Sequence, residues 1–447
     1  MLMSRLRQCH TIISRRNWTE SKPLLISAIR EADFVSFDYE LTGLHEKNER
    51  FLGVDMAYDA HAEGVKRFLP VQLGICASRF DSGTGTWELT PASIYLYPTD
   101  EVCFSVSTAA LNFLVLNGFD CNEWIRHGMS WLTPIQEEEQ RRGVQSRIDE
   151  INEMVAKSVN ADSRVVTPSF TPLDIPPGPD KEAMTAVHAA ITAWLPDGSA
   201  PLELPMESAF TRLLAHTYIS HEFPSLFSHS VKRADARLLC VYRNRSDLFV
   251  EQLETLGERM KEIDDQVGVR VIFDEISRMK KPLVGHNCFY DLLHTWHTFY
   301  GQIPAAVDPF KSKWMSKFKQ TFDTKFIADE TLGQLAPGTL GALCEEMIKS
   351  SPSGVKMCVK PLSHLKQQYH LPNSETKNDL SHDAGYDAMM TSIVYIHQLE
   401  HIKERKLDDA NSSTDFNTQI AHLMKSNCNR IRLVKTQPPS LNLAERN

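Results

Sequence analysis

The chain has 447 residues, 42% hydrophobic and 23% charged, which supports a sizeable core and two or three domains. A net charge of −9 excludes nucleic-acid binding by bulk electrostatics alone, leaving a local groove or bound cations as the routes to it. The nine cysteines contain no Cys-x-x-Cys pair and no apolar run approaches roughly 20 residues, which argues against a disulfide framework, a zinc knuckle and a membrane span.

The opening MLMSRLRQCHTIISRRNW holds four arginines, and no acid precedes Glu20. Two readings stay open: a short mitochondrial presequence, or a basic first turn leading into a domain. ADFVSFDYEL then alternates as a strand. Phe34, Ser36, Asp38 and Glu40 share one face, and Val35, Phe37, Tyr39 and Leu41 share the other. RFLPVQLGICASRF and TWELTPASIYLYP predict two more strands around the turn DSGTG, giving an antiparallel meander with short links. FSVSTAALNFLVLNGFD predicts a helix ending at Gly118.

From about Glu137 the composition shifts. QEEEQRRGVQSRIDEINEMVAKSV reads as a charged surface helix, and SRVVTPSFTPLDIPPGPDKE as a proline-rich linker. A compact unit follows, then the acid-rich helical run DLFVEQLETLGERMKEIDDQ. KPLVG is a short buried strand leading into the helix of HNCFYDLLHTWHTFYG. After His401 the segment RKLDDANSSTDFN reads as a flexible linker before a short tail. The pattern is one domain interrupted by another: 1–145, a helix and linker at 146–182, an inserted unit at 183–250, the first domain resumed at 251–405, and a tail at 406–447.

On a strand, Asp38 and Glu40 present two carboxylates side by side. Holding both charged away from water is unfavourable unless a cation sits between them, and hard oxygen ligands suit Mg²⁺ or Mn²⁺. The alternative is an edge strand with both acids in water. Asn287 and Asp291, four apart, share one face of a helix that follows a short strand. His382 and Asp387 are five apart, with Ser381 as the expected N-cap. Five residues place them roughly 140° apart on a regular helix, so His382 belongs in the entering loop, where a neutral imidazole serves as a general base.

This order of motifs, Asp-x-Glu on a strand, Asn-x3-Asp on a helix and His-x4-Asp at a helix start, resembles the DEDDh exonuclease superfamily. Within it, ADFVSFDYELTGL, LNFLVLNGFDCNEWIRHGMSWLTPIQEEEQ, PLVGHNCFYDLLHTWHTFY, FDTKFIA and HDAGYDAMMT are similar to the poly(A)-specific ribonuclease (PARN) family. The resemblance implies an RNase H-like α/β fold, a mixed sheet flanked by helices with a small inserted α/β nucleic-acid-binding domain. It implies that Asp38, Glu40, Asp291 and Asp387 hold two divalent ions, Mg²⁺ with Mn²⁺ as the substitute, about 4 Å apart. His382 would remove the proton of the attacking water.

The resemblance also implies RNA contacts. FTRLLAHTYISHEFP carries Arg212 and His216 at the Arg-x3-His spacing of a single-stranded nucleic-acid-binding domain. Lys325 falls where the family contacts RNA, and Leu41 and Leu44 where it packs against terminal adenines; Asn287 joins this set. His294 and His297 have a zinc-like spacing but no third ligand, and read as partly buried polar residues. NRIRLVKTQPPSLNLAERN resembles the start of a cap-binding RNA-recognition module. The implied activity is 3′-to-5′ shortening of poly(A) tails with release of 5′-AMP, by a homodimer acting on single-stranded RNA away from membranes. The implied location is nucleus or cytoplasm, and the presequence reading would add mitochondria. Two rivals stand: a 3′-end trimmer of small non-coding RNAs, and a catalytically dead RNA-binding scaffold.

Overall fold

A computed structural model describes residues 11–44, 53–98, 102–160, 178–198, 200–233, 236–332, 337–350, 355–362, 382–406 and 425–445. Most of the arginine-rich opening, of the proline-rich segment and of the linker after His401 lies outside those residues, as does Ser381. Two compact units result, Met1–Gln136 with Gln266–Asn447, and Glu137–Asp265. In chain order the first holds β1 (Thr11–Ile13), α1 (Trp18–Glu31), β2 (Phe34–Leu41), α2 (Val54–Arg67), β3 (Pro70–Asp81), β4 (Thr86–Tyr95), α3 (Thr108–Leu116) and α4 (Cys121–His127). The insertion brings α5 (Pro134–Asn160), α6 (Pro179–Trp194), β5 (Leu202–Pro205), α7 (Ala209–Glu222), β6 (Phe227–Arg233), β7 (Ala236–Tyr242) and α8 (Arg245–Gln266). The first unit resumes with α9 (Arg270–Arg278), β8 (Leu283–Gly285), α10 (Phe289–Tyr300), α11 (Val307–Lys317), β9 (Thr321–Asp323), α12 (Thr324–Leu332), α13 (Leu340–Lys349), β10 (Lys356–Val359), α14 (Ala384–Lys406), β11 (Arg430–Arg432) and β12 (Ser440–Asn442).

The central sheet has seven strands, in the order β1-β4-β3-β2-β8-β9, with β10 beside β4. Strands β2, β3 and β4 are antiparallel, and β8 and β9 continue the sheet in parallel from β2. This is the RNase H-like mixed sheet that the sequence led us to expect. The meander is not made of short links, however, because α2 stands between β2 and β3. Ala57, Tyr58, Ala62 and Val65 recur at helical spacing and are buried, which is why VDMAYDAHAEGVKR folds as a helix.

The alternation of β2 sorts the two faces of the sheet. Val35, Phe37 and Tyr39 join one core with Leu25 and Ile29 of α1, Phe273 of α9, Phe299 of α10 and Trp314 of α11. Phe34 faces the opposite core, with Trp87 of β4, Phe322 of β9 and Met389, Ile393 and Tyr395 of α14. Each such side chain contributes about 1.5–3 kcal/mol on full burial, so both layers are held mainly by apolar area. Ile431, Leu433, Leu441 and Leu443 of the C-terminal hairpin are buried in the first core, so this segment is part of the unit and not a loose tail.

The inserted unit is a three-stranded antiparallel sheet in the order β5-β7-β6. Its core joins Met184, Val187 and Ile191 of α6 to Ala215 and Ile219 of α7 and Leu239 and Val241 of β7. This unit is wider than the stretch 183–250 that composition singled out, since it takes in most of the charged helix α5 and of α8.

Helix α14 lies across β2, β3 and β4 at backbone distance. A Cβ on Gly74 of β3 would sit 1.8 Å from the Ala384 carbonyl oxygen, and one on Gly385 would meet Ser93 Oγ at 2.3 Å. Neither backbone can give way without lifting the helix off the sheet. Gly74→Ala is therefore expected to cost about 3 kcal/mol, read as a fall in denaturation midpoint, and a wild-type midpoint would refute the close approach.

Candidate active site

Asp38 and Glu40 sit on one face of β2, opposite Gly74 and Gln72 of β3. Ser36, two residues earlier on the same face, donates to the Ala388 carbonyl of α14 at 2.6 Å, so this face lies directly under that helix. The third carboxylate, Asp291, is in the first turn of α10, which leaves the end of β8, the parallel neighbour of β2. The fourth, Asp387, is in the first turn of α14. Four acids from three separate stretches of the chain thus meet at one end of the sheet.

Burial, and after it the charge of neighbouring acids, sets the acidity of Asp38, Glu40 and Asp291. Burial raises the Asp38 carboxyl well above its ordinary value, and the charges of Asp387, Asp291 and Glu40 raise it further. Glu40 is pushed up to about 9 by burial and then by Asp387, Asp383 and Asp291. Asp291 is pushed up to about 8 by burial and by Asp323. Glu40, Asp387 and His382 each place one ligand atom within 4.8 Å of the others. Carboxylates that resist ionisation because they are buried and lie near other acids, with hard oxygens turned to one spot, fit a divalent cation such as Mg²⁺ or Mn²⁺.

His382 lies outside α14, in the entering turn at φ 80, and its ring is exposed. The Phe113 ring of α3 meets it edge-on, with centroids 4.4 Å apart. Ser381 being outside the described residues, the visible cap is Asp383, whose Oδ1 accepts the N–H groups of Gly385 and Tyr386 at 3.1 Å each. The same carboxylate accepts from Ser93 Oγ at 2.5 Å, and its other oxygen from Gln72 Nε2 at 3.3 Å. The Gln72 side-chain oxygen in turn accepts the N–H of Ala384 at 3.0 Å. Gln72, Ser93 and Asp383 therefore pin the start of α14, and with it His382 and Asp387, to β3 and β4. Sequence reasoning missed all three. Only Asp383 left a local signal, an acid three residues before Tyr386 at the mouth of a helix.

Asn287 does not share the helix face of Asp291 as its spacing suggested. It sits before the helix at φ 53, exposed, and donates its N–H to Asp323 Oδ1 at 2.8 Å. Asparagine tolerates this left-handed conformation better than most residues, which explains its use in the turn. Lys325 donates its backbone N–H to the same oxygen at 2.9 Å, and its ammonium contacts the Pro337 carbonyl at 2.8 Å and Asp329 at 3.2 Å. Leu41 is half-buried against the core on the far side of β2, while Leu44 is 58% exposed.

In the inserted unit Arg212 is buried, and its guanidinium donates to the carbonyls of Met206 and Glu207. His216 places Nδ1 2.8 Å from Ser228 Oγ and Nε2 2.9 Å from Ser230 Oγ. Both side chains are thus engaged within the unit. His294 is completely buried, which pushes its imidazole down to about 3, and it faces the Tyr290 ring edge-on. His297 is half-buried. Among the described residues, only Glu40, His382 and Asp387 form a three-residue group at ligand distance, and His294 and His297 are not in it.

The family model for CAF1 family ribonucleases matches residues 13–395, most of the chain. The chain belongs to the CAF1 ribonuclease family. Family relatives include the poly(A)-specific ribonuclease PARN of Danio rerio, 24% identical over 406 residues covering 87% of this chain and 60% of the relative. The poly(A)-specific ribonuclease PNLDC1 of Mus musculus is 23% identical over 446 residues, 95% of this chain and 78% of the relative. The chain spans about 60% of the length of the first of these relatives. Among solved structures, the Mg²⁺- and Mn²⁺-bound form of S. pombe Pop2p aligns over 91% of this chain and 98% of its own, at 11% identity and a TM-score of 0.39.

The raised carboxyls of this CAF1-family site make stability depend on pH. Glu40 binds its proton more tightly in the folded chain than at its ordinary value of 4.5, so its contribution is complete below 4.5 and is lost as pH rises toward about 9. A bound divalent cation needs these groups ionised and opposes that slope. In EDTA the melting temperature should fall between about pH 5 and pH 9. Mg²⁺ should raise it more at the alkaline end, and a Mg²⁺ increment independent of pH would contradict the assignment.

Proposed function

We propose that this protein is a 3′-to-5′ exoribonuclease that shortens poly(A) tails and releases 5′-AMP. The observation that carries the reading is the convergence of Asp38, Glu40, Asp291 and Asp387 from one strand and two helices, beside His382. The family assignment supports RNA as the substrate, and the relatives named for poly(A)-specific ribonucleases support adenine-rich 3′ ends.

In this reading the four carboxylates hold two divalent ions, Mg²⁺ with Mn²⁺ as substitute. Such ions lower the pKa of a bound water and neutralise charge on the transferring phosphoryl group. The chain's own residues fix the ligand positions before substrate arrives. Asp38 and Glu40 ride on a paired central strand, while Asp291 and Asp387 each start a helix whose entry is tied down by hydrogen bonds. His382, exposed and outside the helix, accepts the proton of the attacking water and passes it to solvent. The Phe113 ring packs edge-on against it. The resemblance further implies a homodimer, whose mass in solution would be twice 50.7 kDa.

A second reading, 3′-end trimming of small non-coding RNAs, uses the same carboxylates and His382 and differs only in the RNA accepted. The test incubates the purified chain with 5′-labelled oligo(A), oligo(U) and a mixed-sequence RNA, in Mg²⁺ or EDTA. Mg²⁺-dependent shortening of oligo(A) from its 3′ end, abolished in Asp38→Ala, supports the deadenylase. Equal shortening of all three substrates supports the trimmer, and RNA binding without shortening sinks both. His382→Ala should lower kcat by about a hundredfold or more while leaving RNA affinity near wild type.

A further inference from the structure

Asp323, the last residue of β9, is wholly buried and is not one of the four carboxylates described above, although its charge raises the pKa of Asp291. Its two oxygens accept five backbone N–H groups. Oδ1 takes those of Asn287 at 2.8 Å, Lys325 at 2.9 Å and Phe326 at 3.4 Å, and Oδ2 takes those of Cys288 at 3.3 Å and Arg432 at 2.9 Å. These donors belong to three separate pieces of chain. Lys325 and Phe326 open α12, Asn287 and Cys288 form the turn that launches α10, and Arg432 ends β11 of the C-terminal hairpin.

The turn is the piece that matters for chemistry. Asn287 sits at φ 53, a conformation that must be held in place, and Asp291 follows four residues later in the first turn of α10. A shift in the Asn287–Cys288 amides therefore moves Asp291 against Asp38 and Glu40. The hairpin reinforces the same point. Asn429 exchanges main-chain and side-chain bonds with β9, its N–H donating to Thr321 O at 2.7 Å and its Oδ1 accepting the Thr321 N–H at 2.9 Å. Its Nδ2 donates to Lys319 O at 3.1 Å. The hairpin lies beyond residue 395, where the family match ends, yet Ile431 and Leu441 are buried in the same core as α10.

We propose that Asp323 is the positioning residue for the Asp291 ligand, and that the C-terminal hairpin acts on the metal site through it. The inference rests on the nuclease reading for its function but is measured on metal affinity, which does not require turnover. Asp323→Asn keeps the shape of the side chain and replaces one acceptor oxygen with an N–H₂ donor, leaving buried backbone donors without an acceptor. Asn429→Ala leaves the Asp323 side chain intact and loosens the hairpin's hold on β9.

Mn²⁺ binding to the full chain, followed by electron paramagnetic resonance, is the direct readout, alongside the Mg²⁺ dependence of oligo(A) cleavage. Asp323→Asn is expected to weaken Mn²⁺ roughly tenfold, the usual effect of removing a partner that orients a ligand. Cleavage should recover at high Mg²⁺, with KM for RNA unchanged. Asn429→Ala should shift the Mn²⁺ midpoint in the same direction by a smaller factor. Unchanged Mn²⁺ midpoints in both variants, whatever their melting temperatures, overturn the proposal. If Asp323→Asn does not fold, Asn429→Ala decides alone. An unaltered chain that binds Mn²⁺ without cleaving RNA refutes the nuclease reading while the variant midpoints still judge Asp323, and one that binds no Mn²⁺ overturns both.

Discussion

Four carboxylates of like charge meet at one end of the central sheet, and the surrounding structure has to hold them there. Left to themselves such groups separate or take up protons, and the raised pKa values of Asp38, Glu40 and Asp291, set first by burial and then by neighbouring acids, follow the second tendency. The first tendency is opposed by the fold. Asp38 and Glu40 are held by antiparallel pairing with Gly74 and Gln72 of β3, on a strand whose earlier residues Val35 and Ser36 also pair with β8. The helices carrying Asp291 and Asp387 are fastened at their N-termini, where a small rotation would swing the carboxylate furthest. Helix N-termini also favour nearby negative charge, so placing both acids in first turns offsets part of the repulsion.

The two fastenings use the same device. A further aspartate, itself no part of the group that the sequence motifs single out, caps each entering turn with its carboxylate. Asp383 serves α14 and is in turn held by Ser93 and Gln72, while Asp323 serves α10 and is shared with α12 and the hairpin. A carboxyl group offers two acceptor oxygens, so one side chain can fasten several N–H groups, which suits it to this task. Glycine makes the first fastening close enough to work. Without Gly74 and Gly385, the backbone of α14 could not approach β3 and β4 closely enough for those bonds to form.

Much of this was legible in the sequence, and what was not has a common cause. The period-2 pattern of FVSFDYEL gave both faces of β2, because a strand with one face on each core must alternate. The Asp and His spacings named residues that the fold brings together, Glu40, His382 and Asp387 at ligand distance among them, because they lie on or beside regular elements. Spacing failed where the backbone left the regular path. Asn287 and Asp291 share a helix face only if both are helical, and φ 53 at Asn287 removes that condition. Arg212 and His216 have the expected spacing, but spacing says nothing of the partners that occupy them, here two carbonyls and two serines. Helix α2 was a plain omission, since Ala57, Tyr58, Ala62 and Val65 carry its period openly.

Asp323 and Gln72 lie beyond the reach of pattern reading for a deeper reason. Their importance is set by donors far away in the chain: Asn287 is 36 residues from Asp323, Arg432 is 109 away, and Ala384 is 312 from Gln72. No local periodicity encodes such a pairing. The same distances bear on how the site forms. The scaffold itself closes contacts as distant, since Val35 of β2 pairs with Leu283 of β8, so the site and the sheet depend on the same long-range topology. The carboxylates come together where the folded layers fix the ends of β2, β8 and β9. The scaffold therefore dictates the geometry of the site, and a cation would enter a cluster whose repulsion the apolar cores offset.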